Sequence, residues 1–180
     1  MKKNLKKRKI SLSKVFLAHS FERVTPGNNY LNSCKNTFKV YSGINKSSEK
    51  KCYNFLKTIV NFKKYPLIKL KNITSSETCK LMENSYRALN IAFIDEWVKF
   101  SENINIDLLS VIKSIKMRDT HKHIMLPGIG VGGYCLTKDP LFTKIASKQI
   151  FKLKNMDFPL STKAVKLNKK MPDTSLEFIK

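Results

Sequence analysis

A lone cysteine stands at the end of a glycine-rich stretch, and its neighbours could make it a nucleophile. The stretch is PGIGVGGYCLTKDP, in which Cys135 is followed by Lys138 and Asp139. A thiol becomes a nucleophile when a base or a positive charge lies near it, because the reactive form is the thiolate. A free cysteine is also a common packing residue. The spacing by itself leaves both interpretations open.

The glycines of this stretch have the G-x-G-x-x-G spacing of a dinucleotide-binding turn, at Gly128, Gly130 and Gly133. Such a turn needs a strand before it and a helix directly after it. Pro127 precedes the first glycine and no βαβ pattern surrounds the loop, so we interpret the match as accidental. Closely spaced glycines, with Gly132 as the fourth, let backbone N–H groups approach an anion or a substrate. A plain connection between two helices is the alternative.

The positive charge of the chain is extreme and is carried almost entirely by lysine. The formal net charge is +22, and only four of the 35 basic residues are arginines. Such a field attracts nucleic acid, nucleotide phosphates and acidic surfaces alike. Base readout and bidentate phosphate binding depend on arginine, which argues against a nucleic-acid partner. The alternative is a basic protein with a lapsed catalytic site that binds nucleic acid or acidic partners through its lysines.

Cysteine spacing and hydropathy indicate the cellular compartment in which the protein is expected. The four cysteines form no C-x-x-C pair, and His121 and His123 have no third ligand at metal-site spacing, so no metal is expected. No stretch reaches the roughly 20 apolar residues of a membrane span, and the apolar run near the basic N-terminus is too short for a signal peptide. These features predict free thiols in the reducing cytoplasm and no membrane contact.

The elements that must position the cysteine loop begin with a basic tail and an α/β segment. Residues 1–14 are predicted to form a solvated tail. In residues 15–72, the stretches KVFLAHS, TFKVYSG and YPLIKL have the composition of strands, and NKSSEKKCYNFLKTIVNF has a helical apolar face. This order indicates part of an α/β sheet.

Helices are predicted from residue 73 onward. A capping box at Thr74 to Glu77 predicts a long helix from Ser75 to about Asn103. Further helices are predicted at about 107–117 and over DPLFTKIASKQIF and STKAVKLNKKM. Apolar side chains recur along the long helix at spacings of three and four, at Met82, Tyr86, Leu89, Phe93, Trp97 and Phe100.

A short polar patch lies opposite this apolar stripe. Lys80, Asn84 and Arg87 fall within about 60° of one another around the helix axis. Further along, the same side carries Ile91 and Ile94, so we expect the helix to be buried on both sides. The polar patch is either a solvated face or the wall of a cleft, and both interpretations stay open.

Three stretches together resemble the UDP-glucose/GDP-mannose dehydrogenase family, the nucleotide-sugar 6-dehydrogenases. LPGIGVGGYCLTKDP resembles the family's cysteine loop, and SETCKLMENSYRALNIAFIDE resembles its central helix. FERVTPG resembles a segment of the branch that oxidises UDP-N-acetylhexosamines. The resemblance implies the end of a Rossmann-like NAD-binding α/β domain at 15–72, an all-helical central catalytic and dimerisation domain at 73–171, and the start of a UDP-binding domain at 172–180.

The resemblance also implies a reaction. A sugar C6 alcohol would be oxidised to a carboxylate with two NAD, in the synthesis of polysaccharide precursors. Cys135 would hold the aldehyde as a thiohemiacetal and then as a thioester. Lys80 would donate and accept protons, Asn84 would position water or the oxyanion, and Asp139 would assist proton transfer.

Binding roles follow from the same resemblance. Glu22 and Lys138 would contact NAD, and the central helix would pair with that of a second copy in a homodimer. The UDP-sugar would be held by Arg23, Val24, Arg87, Gly128, Gly130, Gly132 and Gly133.

The chain departs from the family pattern at several positions. Phe21 stands where the branch usually has proline, Tyr134 where it has histidine or serine, and Pro26 where other branches have glutamate. The glycine-rich turn that opens the family's NAD domain does not occur before residue 20, and the chain ends where the UDP-binding domain should begin. We therefore expect a fragment that is inactive alone; a split enzyme with its other domains on separate chains is the alternative.

Overall fold

The computed structural model describes residues 5, 7–11, 15–25, 27–177 and 179. The predicted basic tail therefore lies largely outside the described residues, and Pro26 lies outside them altogether. The chain divides into two compact units, unit 1 (Met1–Lys80) and unit 2 (Leu81–Lys180).

Unit 1 is built around a three-stranded sheet in the order β1-β2-β3. β1 pairs with β2 in antiparallel fashion, with Ala18 opposite Gly43, and β2 pairs with β3 in parallel, with Val40 opposite Ile68. The parallel pair with its intervening helix is the strand–helix–strand segment that the sequence predicts. The elements of unit 1 are β1 (Ala18–Ser20), α1 (Tyr30–Lys35), β2 (Val40–Gly43), α2 (Lys46–Ile59) and β3 (Ile68–Lys69).

Helix α2 begins with a side-chain cap and covers the sheet. The Asn45 side chain accepts a hydrogen bond from the Ser48 N–H at 2.8 Å, which satisfies one of the free donors of the first turn. Leu56 is buried, as are Val40 and Tyr41 of β2. Burial of these apolar side chains between helix and sheet holds unit 1 together.

Gly43 is closely packed against the start of α2, where the chain turns from β2 into that helix. A Cβ at Gly43 would lie 2.5 Å from the Glu49 backbone nitrogen and 2.9 Å from the Ser48 carbonyl carbon. We expect Gly43→Ala to lower the free energy of unfolding by about 1–3 kcal/mol, because backbone atoms of α2 would have to move. Urea unfolding followed by circular dichroism measures this. Gly132→Ala is the control, since a Cβ there meets nothing within 4 Å; equal midpoints for the two variants would contradict the prediction.

Helices continue the chain after the sheet, as the predicted class requires. They are α3 (Ile73–Asn103), α4 (Leu108–Lys116), α5 (Asp139–Gln149) and α6 (Pro159–Glu177), with a short 3₁₀ turn at Asp119–His121. This small sheet followed by helices confirms the predicted fold class. Within the described residues, none of these helices combines the length and apolar character needed to cross a membrane.

The start of α3 differs from the prediction. The predicted cap, Thr74, lies inside the helix, and the Asn72 side chain instead accepts from the Ser75 N–H at 2.8 Å. Asparagine caps helices as well as threonine does, and here it comes two residues earlier. The predicted capping box is therefore wrong, although the predicted helix is right.

Small residues let α3 and α6 approach closely in unit 2. Ala88 and Ala92 of α3 and Ala164 of α6 form a buried cluster. Beside them, the buried Asn168 donates from Nδ2 to the Ala88 carbonyl oxygen at 2.9 Å. This bond fixes α6 against α3, and α6 continues to Glu177 although Pro172 lies within it.

The apolar stripe of α3 is exposed in the single chain. The exposed fraction ranges from 45% at Trp97 to 73% at Met82, whereas Ile94 is buried. The expectation that α3 is buried on both sides is therefore wrong for the chain by itself. The exposed residues, here called the apolar stripe, are Met82, Tyr86, Phe93, Trp97 and Phe100.

Candidate active site

The segment after β1 carries the site residues of unit 1 and is tied to the start of β2. The Glu22 carboxylate accepts from the Lys39 ammonium group and from the Arg23 N–H, the latter at 2.9 Å. The Arg23 guanidinium group donates to the Phe38 carbonyl oxygen at 2.9 Å. Lys39 is only 3% exposed, so Glu22 supplies the counter-charge that a buried lysine requires. These bonds fix the backbone of residues 22 and 23.

Lys80, in the first third of α3, reaches this same segment. Its ammonium group donates to the Glu22 carbonyl oxygen at 3.3 Å and lies 5.6 Å from the centroid of the Phe21 ring. The Arg23 guanidinium carbon lies 4.8 Å from the same centroid. Unit 1 therefore places two predicted site cations, Lys80 and Arg23, around one buried phenylalanine. Val24 follows them as a half-buried residue.

In unit 2, a buried hydrogen bond joins α3 to the first residue of α5. The Asn84 amide donates to the Asp139 carboxylate at 2.8 Å, and both residues are less than 10% exposed, at 6% and 8%. The Lys138 ammonium group donates to the other carboxylate oxygen of Asp139 at 2.8 Å. The sequence-predicted residues Asn84, Lys138 and Asp139 thus form one connected group.

Cys135 is linked to this group through its backbone. The Asp139 N–H donates to the Cys135 carbonyl oxygen at 2.9 Å, so the cysteine lies one turn before the N-terminus of α5. Cys135 is exposed, whereas the other three free cysteines, Cys34, Cys52 and Cys79, are half-buried. Burial also raises the pKa of the Cys52 thiol, which disfavours its reactive form. Cys135 is therefore the thiol best placed to meet a substrate.

The glycines of the loop differ in why the structure requires them. Gly133 has a φ of +77°, which only glycine adopts readily, and a Cβ on Gly130 would lie 3.3 Å from Cγ of Pro172. A Cβ on Gly128 or Gly132 would meet nothing within 4 Å. Within the described residues no strand follows Lys69, so a Rossmann turn has no strand to follow here.

The predicted site residues are divided between the two units. Arg87 is exposed on α3, one turn beyond Asn84. Glu22, Arg23, Val24 and Lys80 belong to unit 1, whereas Asn84, Arg87, Cys135, Lys138, Asp139 and the glycines belong to unit 2. The described residues contain no group of three or more histidine, cysteine or acidic side chains that could hold a metal ion.

Two contacts at the site were not predicted from the sequence. The Phe21 ring contacts Arg23 and Lys80, the two predicted site cations of unit 1, and Lys39 neutralises Glu22. Phe21 was visible in the sequence only as an unusual neighbour of Glu22 and Arg23. Lys39 is one of many lysines, and nothing in its spacing distinguishes it from a solvated one.

Comparison with known proteins bears on the family of the chain. Residues 74–170, just over half of the chain, match the UDP-glucose/GDP-mannose dehydrogenase family, central domain. A UDP-N-acetyl-D-mannosamine dehydrogenase of Methanococcus vannielii is 35% identical over 159 residues, which cover 88% of this chain and 34% of that protein. Its counterpart in Methanocaldococcus jannaschii is 34% identical over 169 residues, which cover 93% of this chain and 36% of that protein.

Solved structures show the same fold. The UDP-N-acetyl-mannosamine dehydrogenase Cap5O of Staphylococcus aureus superposes with a TM-score of 0.74 at 27% identity, over 98% of this chain and 38% of that one. An NDP-N-acetyl-D-galactosaminuronic acid dehydrogenase of Methanosarcina mazei gives a TM-score of 0.73 at 28% identity, over 89% and 34% of the two chains. The chain thus spans about a third of the length of these relatives. With its helical region matched and its fold shared, the chain belongs to the UDP-glucose/GDP-mannose dehydrogenase family.

Proposed function

We propose that this chain carries the covalent-catalysis part of an NAD-dependent dehydrogenase that oxidises C6 of a UDP-N-acetylhexosamine. The observation that carries the proposal is the exposed Cys135 thiol, set in a glycine loop that is anchored by the buried Asn84–Asp139 hydrogen bond. An accessible thiol on a fixed support is what covalent capture of an aldehyde requires. The names of the relatives supply the class of substrate.

Each of the two predicted NAD contacts, Glu22 and Lys138, offers a group that suits one part of a dinucleotide. Glu22 is 55% exposed on its side chain, and both of its recorded bonds go to Oε1, so Oε2 can accept from a ribose hydroxyl group. The Lys138 side chain is 50% exposed and supplies a cation for a phosphate. Bound NAD would accept a hydride from C6 in each of the two oxidation steps.

The covalent step belongs to Cys135. After the first oxidation, its thiolate adds to the C6 carbonyl carbon, and the carbonyl oxygen takes a proton to give a thiohemiacetal. The second oxidation removes a hydride from C6 and the proton from that oxygen, which leaves a thioester. Water then attacks C6, the carbon–sulfur bond breaks, and the acid and the thiol are released. The covalent bond keeps the reactive aldehyde in place between the two oxidations.

Proton transfer and water positioning fall to the other polar residues. Lys80, in its neutral amine form, accepts the proton of the C6 hydroxyl group, and the ammonium group that results stabilises the oxyanion. Asn84 positions the attacking water or shares the oxyanion contact. Asp139, which already receives hydrogen bonds from Asn84 and Lys138, assists proton transfer at the thiol.

Substrate binding uses cations for the diphosphate and glycines for the sugar. Arg87 is exposed, and Arg23 with Val24 lies in the fixed segment after β1. The open space beside Gly128 and Gly132 lets the sugar approach the backbone. Gly130 and Gly133 act by shaping the loop around it.

The proposal includes the setting of this part within an enzyme. Residues 15–72 would end an NAD-binding domain, residues 73–171 would form the central domain, and residues 172–180 would lead into a UDP-binding domain. The apolar stripe of α3 would pair with that of a second copy in a homodimer. The product, a sugar acid, would serve as a polysaccharide precursor in the cytoplasm, where UDP-sugars and NAD are supplied.

A chimera tests the proposed function. Residues 15–172 replace the matching segment of the Methanocaldococcus jannaschii dehydrogenase, and NADH formation is followed with UDP-N-acetylmannosamine. We expect turnover with two NADH per acid, because the transferred segment contains every residue given a catalytic role. The intact relative is the positive control. A chimera that melts cooperatively and binds UDP but forms no acid would reject the proposal.

A further inference from the structure

Beyond the reaction, and resting on the roles proposed for Arg23 and Lys80, we propose that Phe21 is a positioning residue for these two cations. The ring would set the positions of Arg23, the cation proposed to bind the nucleotide sugar, and of Lys80, the lysine proposed to exchange a proton with it.

The distances carry the proposal. The Arg23 guanidinium carbon lies 4.8 Å and the Lys80 ammonium nitrogen 5.6 Å from the centroid of the Phe21 ring. Both lie within the approximately 6 Å at which a ring quadrupole attracts a cation. Phe21 is 8% exposed, so its ring is shielded from water, and both cations are half-buried beside it.

Contacts of the neighbouring residues hold the backbone beside the Phe21 ring. The next residue, Glu22, is paired with the buried Lys39, and the Arg23 guanidinium group donates to the Phe38 carbonyl oxygen. Lys80 is held on its other side by the Glu22 carbonyl oxygen at 3.3 Å. Each cation thus has a hydrogen bond as well as a ring contact to hold it in position.

The ring also moderates repulsion between the two cations. Two positive side chains that crowd one residue repel each other, and separated rotamers would relieve that repulsion. A ring that attracts both cations offsets it and keeps them together. Without the ring, we expect the flexible Lys80 side chain to swing away, because its remaining contact is a single 3.3 Å hydrogen bond.

Residue-resolved lysine acetylation of the whole chain tests this role without any enzymatic activity. We expect Phe21→Leu to speed acetylation of Lys80 by about fivefold, the size of one cation–π contact, whereas Phe21→Tyr keeps the wild-type rate. The buried Lys39 reports whether unit 1 stays folded. Phe38→Leu, which removes a neighbouring aromatic ring that packs against Tyr65, is the matched control and should leave Lys80 unchanged.

The outcomes separate the possible roles of Phe21. An unchanged Lys80 rate in Phe21→Leu would overturn the proposal, and so would equal increases at Lys80 and Lys39, which indicate simple loss of packing. The same experiment with UDP-N-acetylmannosamine present addresses the proposed function separately. If this UDP-sugar fails to protect Lys80 in the wild type while the Phe21→Leu effect persists, the positioning role stands and the proposed role of Lys80 at the substrate fails.

Discussion

Cys135→Ala in the chimera lowers the rate of acid formation by about 10³-fold or more. The expected loss is large because the variant has no group that can hold the aldehyde between the two oxidations. At most one NADH should form per sugar before the aldehyde leaves the site, where a hydrazine reagent can trap it. Acid production measured by chromatography, together with the ratio of NADH to acid, checks the prediction.

Two variants make the result specific to this thiol. Cys79→Ala removes a half-buried thiol from α3 and should leave acid formation unchanged. Cys135→Ser keeps a weaker nucleophile at the same place and should retain more activity than Cys135→Ala. Acid that accumulates at the wild-type rate in Cys135→Ala would show that the nucleophile is another group.

The long helix shows how far the sequence predicts this fold. The spacing of apolar side chains predicts α3 to within two residues at its start and to the residue at its end. The predicted cap was wrong because Asn72 and Thr74 are both good capping residues, and the local sequence pattern does not show which of the two starts the helix. Helix α1, at Tyr30–Lys35, was missed because its six residues have no apolar period and no side-chain cap.

The sequence predicts candidate site residues where a motif names them, but it does not predict the contacts that join distant residues. The glycine loop and the central helix identify Cys135, Asn84 and Asp139, but their spacing gives no distance between them. The bond from Asn84 to Asp139 joins residues 55 positions apart, and it depends on the packing of unit 2. The pairing of Lys39 with Glu22 depends in the same way on the sheet of unit 1.

The Asn84–Asp139 bond links stability to the proposed chemistry. Buried polar groups need partners, and each of these two side chains supplies one for the other. The carboxylate also accepts from Lys138, and the backbone of Asp139 holds the carbonyl group of Cys135. The position of Cys135, the proposed nucleophile, is therefore set by the same bonds that attach α5 to α3. A residue that positions the loop in this way need not touch the substrate to affect catalysis.

The exposed apolar stripe of α3 leads to a prediction about the association of two copies of the chain. Aromatic side chains at Tyr86, Phe93, Trp97 and Phe100 line one face of α3 over about 21 Å, and edge-to-face contacts join Trp97 to Phe93 and to Phe100. An exposed row of this size favours a partner, and a two-fold axis would pair it with the same row of a second copy.

Trp97→Lys should convert the proposed dimer to monomer by weakening association about 100-fold or more. A two-fold interface contains each substitution twice, and a central tryptophan typically contributes at least 2 kcal/mol. Sedimentation velocity over a range of concentrations measures the change. Phe55→Lys replaces an even more exposed aromatic residue of α2, outside the stripe, and should leave the proposed dimer intact. Wild-type chain that stays monomeric at high concentration, or a Trp97→Lys variant that associates as tightly as wild type, would show that the stripe is not the interface.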